Sequence, residues 1–158
     1  MSALDVISLQ QAKDWLHIDQ SYVLADAEIE ACIVAAVDWV EKKTDYKLYA
    51  RNEVFTSNGC EIVTYSYPVN DVTAEEGSVP VSVGVYTGAA KTVISAKSGV
   101  KVTVNVGYAN INEIPQGLVM AVRKLITYFN ENRDMYVLDM PNDVQMLINP
   151  YRRSVGIA

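Results

Sequence analysis

Apolar residues recur at helical spacing near the start of the chain, in "SLQQAKDWLHI". A short helix is predicted to begin after Ser8, because Gln11 three residues later completes a capping box. Its apolar face consists of Leu9, Ala12, Trp15 and Leu16.

A second, longer helix is predicted from about Ala25 to Lys43. Its main apolar stripe consists of Ile29, Ile33, Ala36 and Val40, and Cys32, Val34 and Val37 widen it. An arc this wide predicts burial on more than one side, by the chain's own core or by a neighbouring subunit. Carboxylates are frequent at the start of this helix and lysines at its end. This order suits the helix dipole, and the carboxylates are interpreted as a solvated face.

The period changes to two between residues 50 and 108. "EIVTYSY" predicts a strand that stops at Pro68, and "VKVTVNVGY" places valines on one face and polar residues on the other. "SVPVSVGVYTG" alternates in the same way and predicts one strand, with a sheet edge at Pro80 because proline has no N–H to donate. Alternation of β-branched residues is typical of antiparallel sheets with one buried face.

The helical period returns in "IPQGLVMAVRKLITYFNENRD". Pro115 fits the first turn of a helix, and the stripe that follows consists of Leu118, Val122, Leu125 and Phe129, with Val119 and Ile126 beside it. Its natural partner is the second helix. A last short helix is predicted in "NDVQMLIN", before Pro150.

These patterns predict an α+β fold of one domain, 1–158. A small antiparallel helical core of about four helices, formed by about 8–46 and 113–149, carries an inserted antiparallel β lobe, about 50–108. Residues 150–158 form a C-terminal tail.

The composition disfavours nucleic-acid-binding and membrane proteins. The formal net charge of −6 argues against a protein that grips phosphates, and the ten tyrosines do not interleave with basic residues as a stacking groove requires. Cys32 and Cys60 form no CxxC pair and are interpreted as reduced thiols of a cytoplasmically made protein. No signal peptide or membrane-spanning run is apparent. An interfacial membrane helix is also not favoured, because the polar face of the third helix carries few basic residues.

Catalytic motifs are missing from the sequence. The single histidine, His17, lies at the end of the first helix and is interpreted as a cap for the last carbonyls. No phosphate-binding loop, dinucleotide fingerprint, nucleophile elbow or zinc-ligand spacing occurs. No catalytic residue, cofactor or metal is therefore predicted, and the wide apolar arcs favour an oligomeric interaction protein.

The order of the elements resembles the head–tail connector family of tailed bacteriophages, whose members are also called adaptor or head-completion proteins. The resemblance rests on "SLQQAKDWLHID", on "VEKKTDYKL", on the β insertion that closes with "VTVNVGYAN", on the third helix and on "MLINPYRR". In that family the helix ends in a Tyr-Glu-Asn-Arg-like group, which here reads Phe129, Asn130, Glu131, Asn132 and Arg133. The β insertion is similar to that of the longer members.

The resemblance implies a non-enzymatic virion protein. It would form a ring, commonly of twelve subunits, in the neck under the portal protein, and would bind a downstream neck or tail protein. DNA would pass through the ring without specific binding, and an acidic balance would suit such a channel. Two alternatives remain: a tail-completion or neck protein that binds the connector, and an unrelated small enzyme or regulatory domain.

The resemblance also suggests two sets of residues. Candidate subunit-interface residues lie on and after the third helix: Val119, Arg123, Ile126, Glu131 and Arg133. For the last two, a salt bridge within one subunit is an equal alternative. Candidate portal-docking residues are Tyr151, Arg152 and Arg153, for which the alternative is a solvated terminus.

Overall fold

The computed structural model describes residues 2–88, 90–132 and 140–152. The chain divides into two compact units. The helical unit comprises the residues up to Thr44 and Asn110–Arg152, and the β unit comprises Asp45–Ala109. The β unit is thus an insertion between two helical segments of the sequence.

The described part of the helical unit contains five α-helices. They are α1 (Ala3–Val6), α2 (Leu9–Leu16), α3 (Asp26–Thr44), α4 (Gln116–Glu131) and α5 (Asn142–Ile148), with 3-10 helices at Ile111–Glu113 and Asn149–Tyr151. The capping box that was predicted at α2 is confirmed: the Gln11 amide donates to Ser8 Oγ at 3.2 Å, and the Ser8 amide donates to Gln11 Oε1 at 3.0 Å. The short helix α1 was not indicated by the pattern of apolar residues.

The core of the helical unit lies where α3 packs against α4. The α3 side contributes Ile29, Ile33, Ala36, Val37 and Val40, and the α4 side contributes Leu118, Val119, Ala121, Val122, Leu125 and Ile126. Each fully buried Leu, Ile or Val stabilises the fold by about 1.5–3 kcal/mol. The predicted partnership of these two helices is confirmed, although Phe129 at the end of the stripe is only half-buried.

The wide apolar arc of α3 is buried on one side only. Val37 is 1% exposed, whereas Val34 is 50% exposed and Cys32 is half-buried. The wide arc predicted burial by the chain's own core or by a neighbouring subunit. Among the described residues, the chain's own core buries only part of the arc.

The described β unit contains seven strands in two antiparallel sheets. They are β1 (Arg51–Thr56), β2 (Ile62–Thr64), β3 (Val69–Glu76), β4 (Val79–Pro80), β5 (Gly84–Thr87), β6 (Thr92–Ser95) and β7 (Lys101–Val106). One sheet has the order β1-β7-β3-β4 and the other the order β2-β6-β5. Residues of both sheets share one hydrophobic core, centred on Ile94 and the valines of β7.

The alternation that was predicted for β7 is confirmed. Val100, Val102, Val104 and Val106 are all at most 2% exposed, and Lys101, Thr103 and Asn105 point to the opposite face of the strand. Gly107 directly follows β7 with a φ of +94°, and a Cβ atom there would lie 2.1 Å from the Tyr49 carbonyl oxygen. Only glycine fits this position.

The prediction of one strand across "SVPVSVGVYTG" is wrong. Val79–Pro80 pairs with β3 in the four-stranded sheet, whereas Gly84–Thr87 pairs with β6 in the other sheet. The chain leaves the first sheet after Pro80, which lies on its edge strand as predicted. The strand in "EIVTYSY" is likewise shorter than predicted, at Ile62–Thr64.

The predicted α+β class, with a helical core and an inserted antiparallel β lobe, is confirmed by these elements. The interpretation of residues 1–158 as a single connector domain stays a prediction. Among the described residues, no helix combines the length and apolar character needed to cross a membrane.

Candidate assembly surfaces

The predicted subunit-interface residues occupy different environments on α4. Val119 is 8% exposed and Ile126 is fully buried, so both side chains contribute to the core of the helical unit. Arg123 is half-buried, and its guanidinium carbon lies 5.7 Å from the centroid of the Trp15 ring. Glu131 is exposed at the end of the helix, and Arg133 lies outside the described residues. An intersubunit role for these residues stays a prediction, and Arg123 and Glu131 have the accessible side chains.

The predicted portal-docking residues begin in an ordered 3-10 helix. Tyr151 is half-buried and lies over Gly117 in the first turn of α4, where a Cβ atom would come within 2.8 Å of the ring. Arg152 is exposed, and its amide donates to the Asn149 carbonyl at 3.3 Å. Arg153 lies outside the described residues. Tyr151 is thus held by the helical unit and is not part of a solvated terminus.

An open groove lies on the outer face of α4, between α2 and α5. Its volume is about 310 Å³, and its walls include Trp15, Thr127, Tyr128, Glu131, Pro141 and Val144. Trp15 Nε1 donates to Thr127 Oγ1 at 2.9 Å, which fixes the indole of α2 against α4. Half of the lining residues are apolar or aromatic, and the other half are polar or charged: Lys124, Thr127, Glu131 and Asp143.

One ion pair joins two helices that line this groove. Lys124 Nζ on α4 lies 2.6 Å from Asp143 Oδ2 on α5. The hydrogen bond from Lys124 holds the pKa of the Asp143 carboxyl below its ordinary value, against the opposing effect of desolvation. The Lys124 and Asp143 side chains are 39% and 54% exposed, so the pair contributes little to the free energy of unfolding.

Lys13 is a buried charged residue, and the sequence pattern did not indicate its burial. It is 2% exposed, and its Nζ lies 2.5 Å from Asp26 Oδ1, 2.9 Å from the Tyr22 carbonyl oxygen and 3.3 Å from that of Gln20. The interpretation of the early α3 carboxylates as a solvated face is therefore wrong for Asp26. Among the described residues, its buried Oδ1 atom has no hydrogen bond of good geometry, so the ion pair compensates for its burial. The available signal was the position of Lys13, four residues after Leu9 on the apolar face of α2.

The loop between α2 and α3 is fixed by further hydrogen bonds. Asp19 Oδ1 accepts from the Ser21 amide at 2.8 Å and from Ser21 Oγ at 2.5 Å, and these two bonds lower the pKa of the Asp19 carboxyl. Gln20 Nε2 donates to Asp14 Oδ1 at 2.6 Å and to the Gln10 carbonyl at 3.1 Å.

This fixed loop presents large apolar side chains to solvent. Tyr22 is 50%, Val23 65% and Leu24 82% exposed. On α3 they are continued by small or branched residues, Ala27, Ala31 and Val34, all of which are exposed. We call these six residues the apolar patch.

The remaining candidates for catalysis or metal binding in the described part of the chain are the histidine and the two cysteines. His17 caps α2 in a left-handed conformation with a φ of 57°, and its amide donates to the Asp14 carbonyl at 3.3 Å. Its predicted position as a helix cap is confirmed. Cys32 is half-buried and Cys60 is exposed. No group of three potential metal ligands occurs among the described residues.

Known structures share this fold. No protein-family model and no curated protein matches the chain. A chain in the virion of a native gene transfer agent (GTA) particle is 20% identical, with a TM-score of 0.74 over 99% of this chain and 95% of that chain. A chain in the neck of an empty GTA particle, computed with C6 symmetry, is 21% identical, with a TM-score of 0.68 over 96% and 93%. A chain in the neck of a native GTA particle, computed with C12 symmetry, is 21% identical, with a TM-score of 0.70 over 99% and 96%. At these identities the similarity establishes the fold.

Proposed function

We propose that this protein is a structural component of the neck of a phage-like virion, where it joins the head to the tail. The main support for this proposal is the fold, which is similar over nearly the whole chain to that of chains in a particle neck. The similarity covers at least 93% of either chain, so it includes the β insertion as well as the helices. A non-catalytic role accords with the surfaces described above, which offer contact area for other proteins.

A ring is the proposed assembly. The similar neck structures were computed with C6 and with C12 symmetry, and both symmetries are compatible with twelve copies around an axis. In this proposal the ring lies under the portal protein, binds a downstream neck or tail protein on its other side, and is assembled in the host cytoplasm. DNA passes through without specific binding, since a net charge of −6 disfavours close phosphate contacts.

The proposed contacts of this ring use side chains that are accessible in the free subunit. Arg123 and Glu131 on α4 are candidates for the contact between neighbouring subunits, and Val119 and Ile126 support them from the core. Arg152 is the candidate for docking on the portal. Tyr151 acts indirectly, since it anchors the 3-10 helix that precedes Arg152 on Gly117.

The decisive experiment compares particles that are made with and without this protein. Deletion of its gene is expected to leave filled heads and free tails that are not joined, as seen by electron microscopy. Supply of the wild-type gene from a plasmid restores joined particles and is the control. Joined, infective or transfer-competent particles without the protein would overturn the proposal.

A binding experiment locates the protein within the neck. Purified protein is mixed with portal rings or with tail-tube protein, and the mass of each complex is measured by light scattering after size exclusion. Co-elution with the portal at a fixed stoichiometry is expected. Binding to the tail tube alone would assign the protein to the tail side of the neck instead.

A further inference from the structure

Asn58 is followed directly by Gly59 in the turn between β1 and β2, and this is the only Asn-Gly pair of the chain. Both residues are exposed to solvent, and Gly59 has a φ of +90°. Glycine has no side chain that would obstruct the approach of its backbone nitrogen to a neighbouring group. The turn therefore combines an accessible carboxamide with an unhindered backbone amide.

The side chain of Asn58 is bound to its own turn. Its Oδ1 atom accepts a hydrogen bond from the Cys60 amide at 3.1 Å, which is the pattern of an Asx turn. This bond holds the carboxamide beside the peptide group that joins Asn58 to Gly59. The same N–H stabilises the negative charge that develops on Oδ1 when a nucleophile adds to the Cγ carbon.

Ser57 holds the backbone nitrogen that would be the nucleophile. Its hydroxyl oxygen accepts from the Gly59 amide at 3.2 Å, and the hydroxyl donates to the Ala96 carbonyl at 3.0 Å. Ser57 is 3% exposed, and its backbone is bonded to the facing turn through the Gly99 amide at 2.8 Å and the Val100 carbonyl at 2.9 Å. Because this acceptor is fixed, the Gly59 nitrogen must leave it before it can turn toward the carboxamide.

We infer that Asn58 is a site of spontaneous deamidation through a cyclic imide, and that the Ser57 hydroxyl restrains its rate. The Gly59 nitrogen gives its proton to hydroxide and adds to Cγ of Asn58, and the new N–C bond closes the imide ring. The Cγ–Nδ2 bond breaks, and the departing nitrogen takes a proton from water and leaves as ammonia, which regenerates hydroxide. Water then hydrolyses the ring. Opening at Cγ gives aspartate, and opening at the backbone carbonyl gives isoaspartate.

The two products change the turn in different ways. Aspartate retains an oxygen that can accept from the Cys60 amide, and it adds one negative charge. Isoaspartate carries the chain through its side chain, which lengthens the backbone by one carbon and removes the spacing that places the Gly59 amide on Ser57. The inference concerns the β unit alone and does not depend on the proposed function.

Asn110 is the matched control within the same chain. It is also exposed, and its Oδ1 atom also accepts from the amide two residues later, that of Asn112, at 3.1 Å. The residue that follows it is Ile111, whose β-branched side chain crowds the backbone nitrogen. A comparison of the two asparagines therefore tests the contribution of the following glycine.

Mass spectrometry of aged protein tests the inference. Purified wild-type protein is incubated at mildly alkaline pH, and its chymotryptic peptides are sequenced by tandem mass spectrometry at intervals, with unincubated protein as the blank. We expect aspartate and isoaspartate to form at Asn58, with a rate that rises with hydroxide concentration. The rate should be at least about tenfold higher than at Asn110, because glycine is unhindered and isoleucine is β-branched.

A synthetic peptide of residues 56–65 gives the timescale of the reaction without the fold. If Asn58 of the folded protein stays intact while the peptide is converted, the inference is overturned. Equal rates at Asn58 and Asn110 in the folded protein would overturn it as well.

Ser57→Ala tests the restraint by the hydroxyl. The variant lacks the acceptor of the Gly59 amide, so deamidation should be about fivefold faster, which is the factor that corresponds to one typical net hydrogen bond. Ser98→Ala is the control, because Ser98 lies in the facing turn, with its Cβ atom 3.5 Å from the position of a Cβ atom on Gly59. Equal rates in the Ser57→Ala and wild-type chains would overturn the role of Ser57. Circular dichroism during thermal unfolding verifies that both variants fold, and the comparison with Asn110 requires neither variant.

Discussion

The contact between Gly117 and Tyr151 can be tested with Gly117→Ala. This substitution should lower the free energy of unfolding of the wild-type chain and raise that of a Tyr151→Ala chain. Gly117 lies in the first turn of α4, and an added Cβ atom would lie 2.8 Å from Tyr151 Cε2 and 2.9 Å from its hydroxyl oxygen. These distances are shorter than van der Waals contact. Gly117→Ala therefore requires the tyrosine ring to move away from α4.

Two opposing terms determine the magnitude. Alanine is better than glycine inside a helix by up to about 1 kcal/mol. Overpacking at a close contact costs about 1–3 kcal/mol. In the wild-type background Gly117→Ala should therefore lower the free energy of unfolding by up to about 2 kcal/mol. In a Tyr151→Ala background the clash is absent, and the same substitution should raise the free energy of unfolding by up to about 1 kcal/mol.

Tryptophan fluorescence during urea unfolding is the appropriate assay. Both tryptophans of the chain, Trp15 and Trp39, belong to the helical unit, so their signal reports the unit that contains Gly117. A double-mutant cycle then gives the coupling energy between the two positions, for which neighbours in contact typically show 0.5–3 kcal/mol, an order-of-magnitude range. Tyr151→Phe retains the ring and should retain most of the penalty. If Gly117→Ala is equally stabilising in both backgrounds, the packing of Tyr151 on α4 is refuted.

Three further predictions concern individual side chains. Lys13→Met should lower the free energy of unfolding of the helical unit by about 3 kcal/mol, because removal of one partner of a buried ion pair leaves the other uncompensated. Urea unfolding followed by tryptophan fluorescence measures this loss, and a loss under 1 kcal/mol, roughly that of an exposed pair, would contradict the prediction. Gly107→Ala should destabilise the β unit by about 2 kcal/mol or more, since its Cβ would clash with the Tyr49 carbonyl at a positive φ; circular dichroism during thermal unfolding should show a lower transition, and an unchanged one would contradict it. The Asp143 carboxyl should titrate below its ordinary pKa, and Lys124→Met should raise that pKa. Because the folded-state pKa is lowered, the small stabilisation from this pair is present above the ordinary carboxyl pKa and is lost as the pH falls through the folded-state value. Carboxyl NMR shifts give the titration midpoints of Asp143 in the wild-type chain and in the Lys124→Met chain. Identical midpoints would contradict the ion pair.

Local rules account for the elements that the sequence predicted well. The capping box at Ser8 and the valine alternation of β7 each depend on neighbouring residues only, and both were correct. The third predicted helix, α4, was indicated by apolar residues that recur with a period of 3.6. In the structure this helix ends at Glu131. Each of these signals is complete within a short window of sequence.

Tertiary context decided the features that were missed. β3 (Val69–Glu76) contains Asn70, Asp71 and two glutamates, which disfavour strands as residue types, but it is the neighbour of buried β7 in the sheet. The strand predicted across Pro80 failed because the chain passes from one sheet to the other there. The period of two carries no information on which sheet a strand joins.

The candidate interface shows a related limit of periodicity. An apolar residue at helical spacing indicates burial, but it does not distinguish the subunit's own core from the surface of a neighbour. Val119 and Ile126 were chosen from the α4 stripe and are core residues, whereas Leu24 lies in a loop that no periodic pattern covers. The structure separates the two cases by exposure: Ile126 is 0% exposed and Leu24 is 82% exposed.

The exposed loop also links stability to assembly. A buried ion pair generally contributes less stability than well-packed apolar residues of similar volume, so the Lys13–Asp26 pair is poorly explained as a device to stabilise the subunit. Its clear structural effect is to hold the carbonyl of Tyr22 and so to fix the direction of the loop that presents Leu24. An apolar patch on a fixed loop favours association over solubility of the free subunit. A partner that covers the patch would remove the energetic disadvantage of this arrangement for the single chain.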